Sequence, residues 1–397
     1  MLSKLLKSNS FIMHSILIIF LLFFTDTALA KKNCSTKSFS INLAFLSAGI
    51  STCETVNENY IKLYLTPEDN DVINPSPWYA FKKSPHKEKV YVEIFYEKFK
   101  HRYHPKISFD SKNWRKLESK SFKQLDDGQR ILLQFKPERK ESIISAQEIL
   151  STEWYDRWIT GLSLNDYIMV SDLGKSFGKR PIKKISIIRD PNNPYIFILG
   201  RQHPPEVSGA LALKGFIETI IEENPLSKEF TNNFNIIVYP LLNPDGVDLG
   251  HWRHNLSSKD LNRDWGFFTQ VETEIVYKDI QRILSENKRI IFLLDFHSTF
   301  ENLFYIQDNE EEKDLEFNIS EWLKGLKDSL KNYNYSIRPV KSRNNGVAKN
   351  FFYQTFGIST ITYEVGDETD RMAIASSSKI FSKAFMDLLL EKRVIYD

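Results

Sequence analysis

The stretch YIFILGRQHPPEVSGALALKGFIETIIEE, residues 195–223, decides the fold. It begins with a continuous apolar run, passes through a polar turn and continues with the apolar spacing of a helix. Three further apolar runs follow: NIIVYPLL at 235–242, RIIFLLDF at 289–296 and ISTITYEV at 358–365. Such runs are typical of strands covered on both faces, and strands that alternate with helices predict an α/β fold. We therefore expect a mixed β-sheet flanked by helices.

Upstream of these runs, the hydrophobic pattern has a period of two residues. Segments such as YIKLYLT (60–66), KVYVEIFYE (89–97) and RILLQFKP (130–137) alternate apolar and polar side chains and are rich in Val, Ile, Tyr and Phe. Turn-forming residues separate the segments. This pattern predicts a smaller antiparallel β-sandwich domain over residues 31–145, followed by the α/β domain over residues 146–397.

Composition limits the classes of function. The chain has 397 residues, 42% of them hydrophobic and 26% charged, and its formal net charge is +2. That length suits two domains, and the apolar content is sufficient for a sizeable core. Acidic and basic residues are interspersed, as in KEKVYVEIFYEKFKHR at 87–102. Because no concentrated basic face is predicted, we expect no nucleic-acid partner.

The N-terminus has the organisation of a secretory signal peptide. Lys4 and Lys7 precede an apolar run at 12–24, and Ala-Leu-Ala at 28–30 provides a cleavage site. The apolar run is shorter than the roughly 20 residues that a bilayer core requires. An uncleaved anchor is the alternative. We expect residues 1–30 to be removed, which leaves a secreted or periplasmic protein without a stable membrane anchor.

The sequence holds two cysteines, Cys34 and Cys53. In an oxidising compartment they could form one disulfide, although the sequence leaves open whether they are bonded. Neither belongs to a C-x-x-C pair, so a cysteine metal site is not predicted.

Polar residues follow the apolar runs at the end where open α/β sheets place their sites. His203 and Glu206 lie three positions apart where the first run gives way to a helix, and His297 directly follows another run. Imidazole and carboxylate groups are zinc ligands. Taken singly, each residue also has an ordinary explanation, as a surface or core histidine or as an acid favoured at a helix start. Glu364 lies near the end of the last run. Burying its carboxylate there costs desolvation free energy, so the residue needs a hydrogen-bonding partner or a functional role.

A polar segment lies between these positions, with N-P-D-G at 243–246, W-R at 252–253 and D-x-N-R at 260–263. The full order is H-x-x-E, N-P-D-G, W-R, D-x-N-R, a strand-terminal His and a strand-borne Glu. In this order the motifs resemble the carboxypeptidase A superfamily of zinc metallocarboxypeptidases. The resemblance covers about residues 150–397 and implies the zinc carboxypeptidase fold.

The resemblance implies a zinc centre with one ion per chain. His203, Glu206 and His297 would bind the metal, and Asp260 would orient His203. Glu364 would be the general base that takes a proton from a zinc-activated water and delivers it to the leaving amine.

The resemblance also implies the substrate contacts. Arg253 would stabilise the developing oxyanion, and Asn262 and Arg263 would hold the terminal carboxylate of a peptide. The implied activity is that of a metallocarboxypeptidase acting on peptides with a free C-terminus. The alternatives on the same fold are a zinc amidohydrolase or deacylase, a peptidoglycan stem-peptide carboxypeptidase and a non-catalytic binding protein.

The N-terminal region is similar to the sandwich domain that precedes the catalytic domain in cytosolic-type carboxypeptidases. The similarity rests on W-Y-A-F at 78–81 and R-Y-H-P at 102–105, and it indicates a bacterial branch with such a domain. Tyr353 is the nearest candidate for a tyrosine that closes over the substrate. The acidic segment 366–371 either recognises a basic side chain of the substrate or is a solvent-exposed loop. No position identifies the preferred terminal side chain.

Overall fold

The computed structural model describes residues 33–49, 51–70, 74–163, 165–330 and 333–393. The predicted signal peptide, residues 1–30, lies outside these ranges. Within them, no helix has both the length and the apolar character needed to cross a membrane.

The N-terminal part of the chain is built from short strands. They are β1 (Cys34–Ser35), β2 (Ser40–Asn42), β3 (Ser51–Asn57), β4 (Tyr60–Leu65), β5 (Ala80–Lys83), β6 (Val90–Tyr96), β7 (Lys106–Ser108), β8 (Trp114–Lys116), β9 (Phe122–Leu125), β10 (Arg130–Phe135) and β11 (Ser142–Ser145). One sheet has the order β1-β2-β5-β11-β7-β8 and the other the order β3-β4-β6-β10-β9. Single 3-10 turns at Ser119–Ser121 and Asp126–Gly128 flank β9.

The alternating sequence pattern places one side of each sheet in the core. In β4, Ile61, Leu63 and Leu65 are buried, and the residues between them are partly exposed. These side chains pack with residues from both sheets into one hydrophobic core. The disulfide between Cys34 of β1 and Cys53 of β3 joins the two sheets covalently.

The predicted antiparallel arrangement of this part is confirmed with one exception. The strand pairs are antiparallel apart from β4 and β6, which run parallel. A period of two residues determines which face a side chain takes, but it does not determine the direction of the neighbouring strand.

The C-terminal part is an α/β structure around a mixed sheet. Its strands are β12 (Ile168–Lys175), β13 (Pro181–Ile187), β14 (Tyr195–Gly200), β15 (Asn235–Tyr239), β16 (Ile290–Thr299), β17 (Leu303–Ile306), β18 (Ser336–Pro339) and β19 (Ser359–Gly366). Its helices are α1 (Thr152–Leu162), α2 (Val207–Ile220), α3 (Pro225–Asn233), α4 (Pro244–Leu249), α5 (Val271–Ser285), α6 (Asn309–Glu312), α7 (Ile319–Gly325), α8 (Ala348–Phe356) and α9 (Arg371–Arg393). A 3-10 turn spans Leu261–Arg263.

The sheet has the order β12-β13-β15-β14-β16-β19-β17-β18. Strands β15, β14, β16 and β19 are parallel to one another, and antiparallel pairings join β13 to β15 and β17 to β19. The predicted mixed α/β sheet is therefore confirmed. Its parallel centre brings the carboxyl ends of β14, β16 and β19 to a common edge.

Both faces of the central strands are covered, as the continuous apolar runs predict. In β14, Ile196 and Ile198 belong to the core that includes residues of α2 and α9. Phe197 and Leu199 point to the opposite face, into a second core with residues of α5 and α8. This two-sided burial explains why the strand carries no polar residue before its end.

The predicted domain boundary near residue 145 falls between β11 and α1, and the division itself stays a prediction. The N-terminal and C-terminal parts are in direct contact, for example around Trp252. Trp252 lies against Phe99 with ring centroids 5.9 Å apart, and its indole N–H donates to the Trp78 carbonyl at 3.2 Å. The segment that carries the W-R motif is thus in direct contact with the N-terminal sheets.

Candidate active site

A strained turn after β14 carries the first two candidate ligands. Residues 201–206 connect β14 to α2. Arg201 has a φ of 53°, in the left-handed region that side-chain-bearing residues rarely adopt. Its buried guanidinium donates to the Pro204 carbonyl from Nε at 2.9 Å and from Nη2 at 2.7 Å. The turn is therefore closed on itself and fixes both His203 and Glu206 at the sheet edge.

The third candidate, His297, lies near the end of β16. Helix α2 approaches this strand closely, because a Cβ atom on Gly209 would lie 2.3 Å from the His297 carbonyl oxygen. The Gly209 N–H donates to the Ser298 hydroxyl at 2.7 Å. Only glycine permits this approach, which brings the start of α2, and Glu206 with it, beside His297.

The Glu206 carboxylate joins the two imidazoles. Its Oε1 lies 2.7 Å from His203 Nδ1, and its Oε2 lies 2.8 Å from His297 Nδ1. All three residues are buried, and their potential ligand atoms lie within 4.8 Å of one another. The three predicted ligands are therefore brought together in the fold.

The other ring nitrogen of each histidine faces a carboxylate. His203 Nε2 lies 2.9 Å from Asp260 Oδ1, and His297 Nε2 lies 2.9 Å from Asp295 Oδ2. With Nε2 as the donor, each Nδ1 keeps its lone pair for a ligand. Asp260 lies in contact with His203, which it was predicted to orient. No role was predicted for Asp295 from the sequence. Since Asp295 and His297 are two positions apart in a strand, they share one face, and this spacing was the available signal.

These carboxylates favour positive charge at the centre. Burial acts to lower the pKa of His203, but Glu206 and Asp260 outweigh it and raise that pKa. Asp295 and Glu206 likewise raise the pKa of His297 well above its usual value against the effect of burial. The two histidines hold the pKa of Glu206 low although burial opposes this. Two imidazoles and a carboxylate in a cation-favouring environment fit a zinc ion.

Glu364 lies directly beside this group. It is the register partner of His297 in the parallel pairing of β19 with β16. Its Oε2 is buried and has no hydrogen-bond partner among the described residues. Burial raises the pKa of Glu364 to about 7, with Glu206 acting in the same direction and His297 against it. A bound divalent cation would lower this pKa, and a carboxylate in this range can take up and return a proton near neutral pH.

A cleft of about 320 Å³ opens over these groups. Arg253 lines it and donates from Nε to Asp260 Oδ2 at 2.9 Å. Asn262 also lines it, and its Oδ1 accepts the Ala348 N–H at 2.8 Å. Arg263 is exposed at the same wall and donates from Nη1 to the Asn262 carbonyl at 2.7 Å. The predicted substrate-binding residues thus surround the cleft, and their individual roles stay predictions.

The cleft wall contains a cationic residue, Lys349, that the sequence analysis did not identify. Lys349, in the first turn of α8, is buried, and its Nζ donates to the carbonyls of Ile306 at 3.3 Å and Val340 at 3.4 Å. The carboxylates of Glu311 and Asp308 act on Lys349 only through their charge, and neither is hydrogen-bonded to its ammonium. Burial lowers the pKa of Lys349 to about 8, against the opposing effect of Glu311 and Asp308. No feature of the sequence distinguishes a buried lysine at the start of a helix from an exposed one.

The N-terminal part supplies a second unassigned cation to the cleft wall. Arg102 donates from Nε to Asp367 Oδ2 at 2.8 Å and from Nη1 to the Ser76 hydroxyl at 2.5 Å. Asp367 belongs to the acidic segment whose purpose the sequence left open. Its carboxylate holds the N-terminal sheets against the cleft, through a contact between positions too distant in sequence to predict.

The position of a tyrosine that closes over the substrate stays a prediction. Tyr353 is not among the residues that line the cleft. Tyr305 of β17 lines the cleft instead. Among the described residues that line the cleft, Tyr305 is the one tyrosine.

Comparison with curated proteins finds similarity to cytosolic carboxypeptidases over part of the chain. Cytosolic carboxypeptidase 1 of Gallus gallus is 40% identical over 74 residues, which is 19% of this chain and 6% of that protein. Cytosolic carboxypeptidase 6 of Mus musculus is 33% identical over 106 residues, which is 25% of this chain and 20% of that protein. The matches thus span a fifth or less of the length of these two relatives.

Solved bacterial structures share the fold over most of the chain. A metallo-carboxypeptidase from Burkholderia cenocepacia has a TM-score of 0.75 at 16% identity, covering 89% of this chain and 99% of that one. A metallo-carboxypeptidase from Pseudomonas aeruginosa, in complex with (2-guanidinoethylmercapto)succinic acid, has a TM-score of 0.71 at 19% identity, covering 89% and 99%.

The sequence profile described as zinc carboxypeptidase matches residues 156–384, more than half of the chain. The match contains both histidines, both glutamates and the polar segment that form the cleft. This chain therefore belongs to the zinc carboxypeptidase family.

Proposed function

We propose that this protein is a zinc-dependent carboxypeptidase that hydrolyses the C-terminal residue from a peptide. The observation that carries the proposal is the grouping of Glu206 with His203 and His297 beside Glu364, whose pKa is near neutrality. A proton acceptor beside a metal site of two imidazoles and one carboxylate supports hydrolysis of an amide bond.

His203, Glu206 and His297 would hold one zinc ion per chain. When bound, zinc lowers the pKa of a water molecule and polarises the scissile carbonyl. Asp260 and Asp295 would keep the two imidazoles oriented, since each accepts from the ring nitrogen that does not face the metal.

The chain's own groups would handle the proton and the developing charge. Glu364 takes a proton from the attacking water and delivers it to the leaving amine as the C–N bond breaks. Arg253 keeps its Nε bonded to Asp260, so its terminal nitrogens are the donors available to the oxyanion. Asn262 and Arg263 would hold the terminal carboxylate, which restricts cleavage to the last residue.

The proposed specificity of the cleft is for an acidic terminal residue. Because the Ala348 N–H donates to Asn262, the start of α8 lies at the proposed carboxylate clamp, and Lys349 is the next residue. The two long hydrogen bonds to backbone carbonyls offset only part of the desolvation cost of this buried ammonium. A terminal Glu or Asp side chain would supply a carboxylate partner, so we propose that Lys349 selects such residues.

The signal-peptide pattern supports a secreted or periplasmic location for this activity. That the chain is a bacterial member with a sandwich domain like that of cytosolic carboxypeptidases stays a proposal, supported by the N-terminal sequence motifs at 78–81 and 102–105. In a periplasm, the substrates would be free peptides or peptidoglycan stem peptides with a free carboxylate.

A peptide digestion by the purified protein tests the proposal. We expect zinc-dependent release of single C-terminal residues, fastest for terminal Glu or Asp, with mass spectrometry as the readout. Matched peptides that carry a C-terminal amide should be cleaved far more slowly. Equal cleavage of free and amidated peptides would contradict the carboxypeptidase activity, and release of acyl groups alone would indicate the deacylase alternative. A muropeptide set included in the same digestion tests the stem-peptide alternative.

A further inference from the structure

The backbone of the W-R segment is held by one carboxylate of the N-terminal part. Glu68, which follows β4, accepts the Trp252 N–H at 2.7 Å through Oε2. Its Oε1 accepts the N–H groups of Arg253 at 2.8 Å and of His254 at 2.6 Å. Three consecutive amides therefore converge on a single side chain that lies far away in the sequence.

Further contacts hold the same segment against the N-terminal sheets. A Cβ atom on Gly250 would lie 2.5 Å from the Gly49 nitrogen, so the two backbones meet at a distance that only glycine allows. The Ser76 N–H donates to the Trp252 carbonyl at 3.3 Å. The path of the segment between α4 and the 3-10 turn is thus set by the N-terminal part.

From this segment, hydrogen bonds lead directly to the metal-binding group. Arg253 donates from Nε to Asp260 Oδ2 at 2.9 Å, and Asp260 Oδ1 lies 2.9 Å from His203 Nε2. A shift of the Arg253 backbone would therefore move both the guanidinium and the carboxylate that orients His203.

A second interpretation of Glu68 is a cation site with Asp69 and His254, whose potential ligand atoms also lie within 4.8 Å of one another. Both Glu68 oxygens already accept N–H groups, which point their positive ends at the carboxylate. Such a set of donors repels a cation, so the contacts favour an anchoring role over a metal site.

We propose that Glu68 is a positioning residue that aligns Arg253 for catalysis, an inference that rests on the proposed function. The N-terminal sheets then complete the active site, because the alignment of the oxyanion donor depends on a carboxylate that they provide. Charge-assisted hydrogen bonds to three adjacent amides are suited to this task, since they fix the backbone and leave the side chain of Arg253 free to act.

A double-mutant cycle in the full chain tests the proposal. Glu68→Ala should lower kcat about 10- to 100-fold, as expected for a misplaced catalytic group, and should change KM by less than about threefold. Glu68→Gln, which keeps one acceptor oxygen, should retain intermediate activity. In an Arg253→Ala background, Glu68→Ala should cost less than about twofold, because there is no guanidinium left to align.

A matched control and a readout independent of turnover complete the design. Glu54→Gln changes an exposed carboxylate of the same N-terminal part, which accepts from the Tyr64 hydroxyl, and should leave kcat and KM unchanged. Amide hydrogen exchange at 252–254 should be faster in Glu68→Ala, with normal zinc content. An equal loss of kcat with and without Arg253, or unchanged exchange at these amides, would overturn the proposal. Inactivity of the unmodified protein on every peptide would instead overturn the proposed function.

Discussion

His297 and Glu364 are direct partners in the parallel pairing of β16 with β19, so a metal-ligand candidate and a proton acceptor stand side by side at one sheet edge. Neighbouring parallel strands end at the same edge, and residues at the same register position point to the same face. The distance between the candidate ligand His297 and the proposed base Glu364 is therefore built into the sheet and does not depend on a flexible loop.

Replacing Glu364 tests its role as the general base. Glu364→Gln keeps the size of the side chain but cannot accept a proton, so we expect kcat to fall by about 10³-fold. Zinc content should stay near that of the unmodified protein, because Glu364 is not one of the three predicted ligands. Turnover and metal analysis of the same preparation provide the measurement. Loss of zinc together with activity would show that Glu364 is a structural or ligating residue.

The sequence predicts which residues meet at the sheet edge, because their positions follow from local features. His203 and Glu206 follow a buried strand, and His297 and Glu364 lie near the ends of two others, so a parallel sheet brings them to one edge. Their roles were implied by the resemblance to zinc metallocarboxypeptidases and not by this placement. The contact of Asp295 with His297 could also have been predicted, because the two residues are two positions apart in the same strand.

The remaining parts of the cleft depend on contacts that a sequence pattern cannot specify. Arg102 of the N-terminal part reaches the cleft, and Glu68 of the same part reaches the backbone of Arg253. Their partners lie far along the chain. The parallel pairing of β4 with β6 is equally unpredictable from the sequence. The alternation of apolar and polar residues shows which face of the sheet a side chain takes, but not which strand lies beside it. Lys349 resembles any lysine at a helix start, and only the three-dimensional surroundings show that its ammonium is buried.

Removing the carboxylate beside His297 should weaken metal binding. Asp295→Asn replaces a charged acceptor of His297 Nε2 by a neutral one, so the basicity of the ligand nitrogen falls. We expect zinc affinity to drop about 10- to 100-fold, measured by competition with a chromogenic chelator. Asp172→Asn, at an exposed position of β12, is the control and should have unchanged affinity. An unchanged affinity in Asp295→Asn would show that the imidazole is oriented without this carboxylate.

Arg263 provides a test of the terminal-carboxylate clamp. Arg263→Ala removes an exposed guanidinium from the cleft wall, and we expect kcat/KM for peptides with a free C-terminus to fall about 10- to 100-fold. The residual cleavage of C-terminally amidated peptides should not change, since they present no carboxylate. Arg289→Ala, an exposed arginine paired with Glu316, serves as the control. If both substrates lost activity equally, Arg263 would act on the fold or on catalysis and not on the terminus.

The preference for acidic terminal residues should depend on pH through Lys349. Burial lowers the pKa of this ammonium to about 8, while the carboxylates of Asp308 and Glu311 act to raise it. Below that pH the side chain is charged and can pair with a terminal Glu. As pH rises through about 8 it loses the charge, so the ratio of kcat/KM for Glu-terminated over Leu-terminated peptides should fall.

Taking the ratio of the two substrates removes the titration of Glu364 and of the metal centre, because both act on each peptide equally. Lys349→Met should reduce the ratio about 10- to 100-fold and make it independent of pH, as expected for the loss of one charged contact. Lys349→Arg should keep the preference and extend it to higher pH, since a guanidinium stays protonated there. A ratio in the unmodified protein that did not change between pH 7 and pH 9, on the scale set by a pKa of about 8, would mean that Lys349 does not contact the terminal side chain. The cleft would then have to select its substrate through the exposed Arg263 or through Arg102 of the N-terminal sheets.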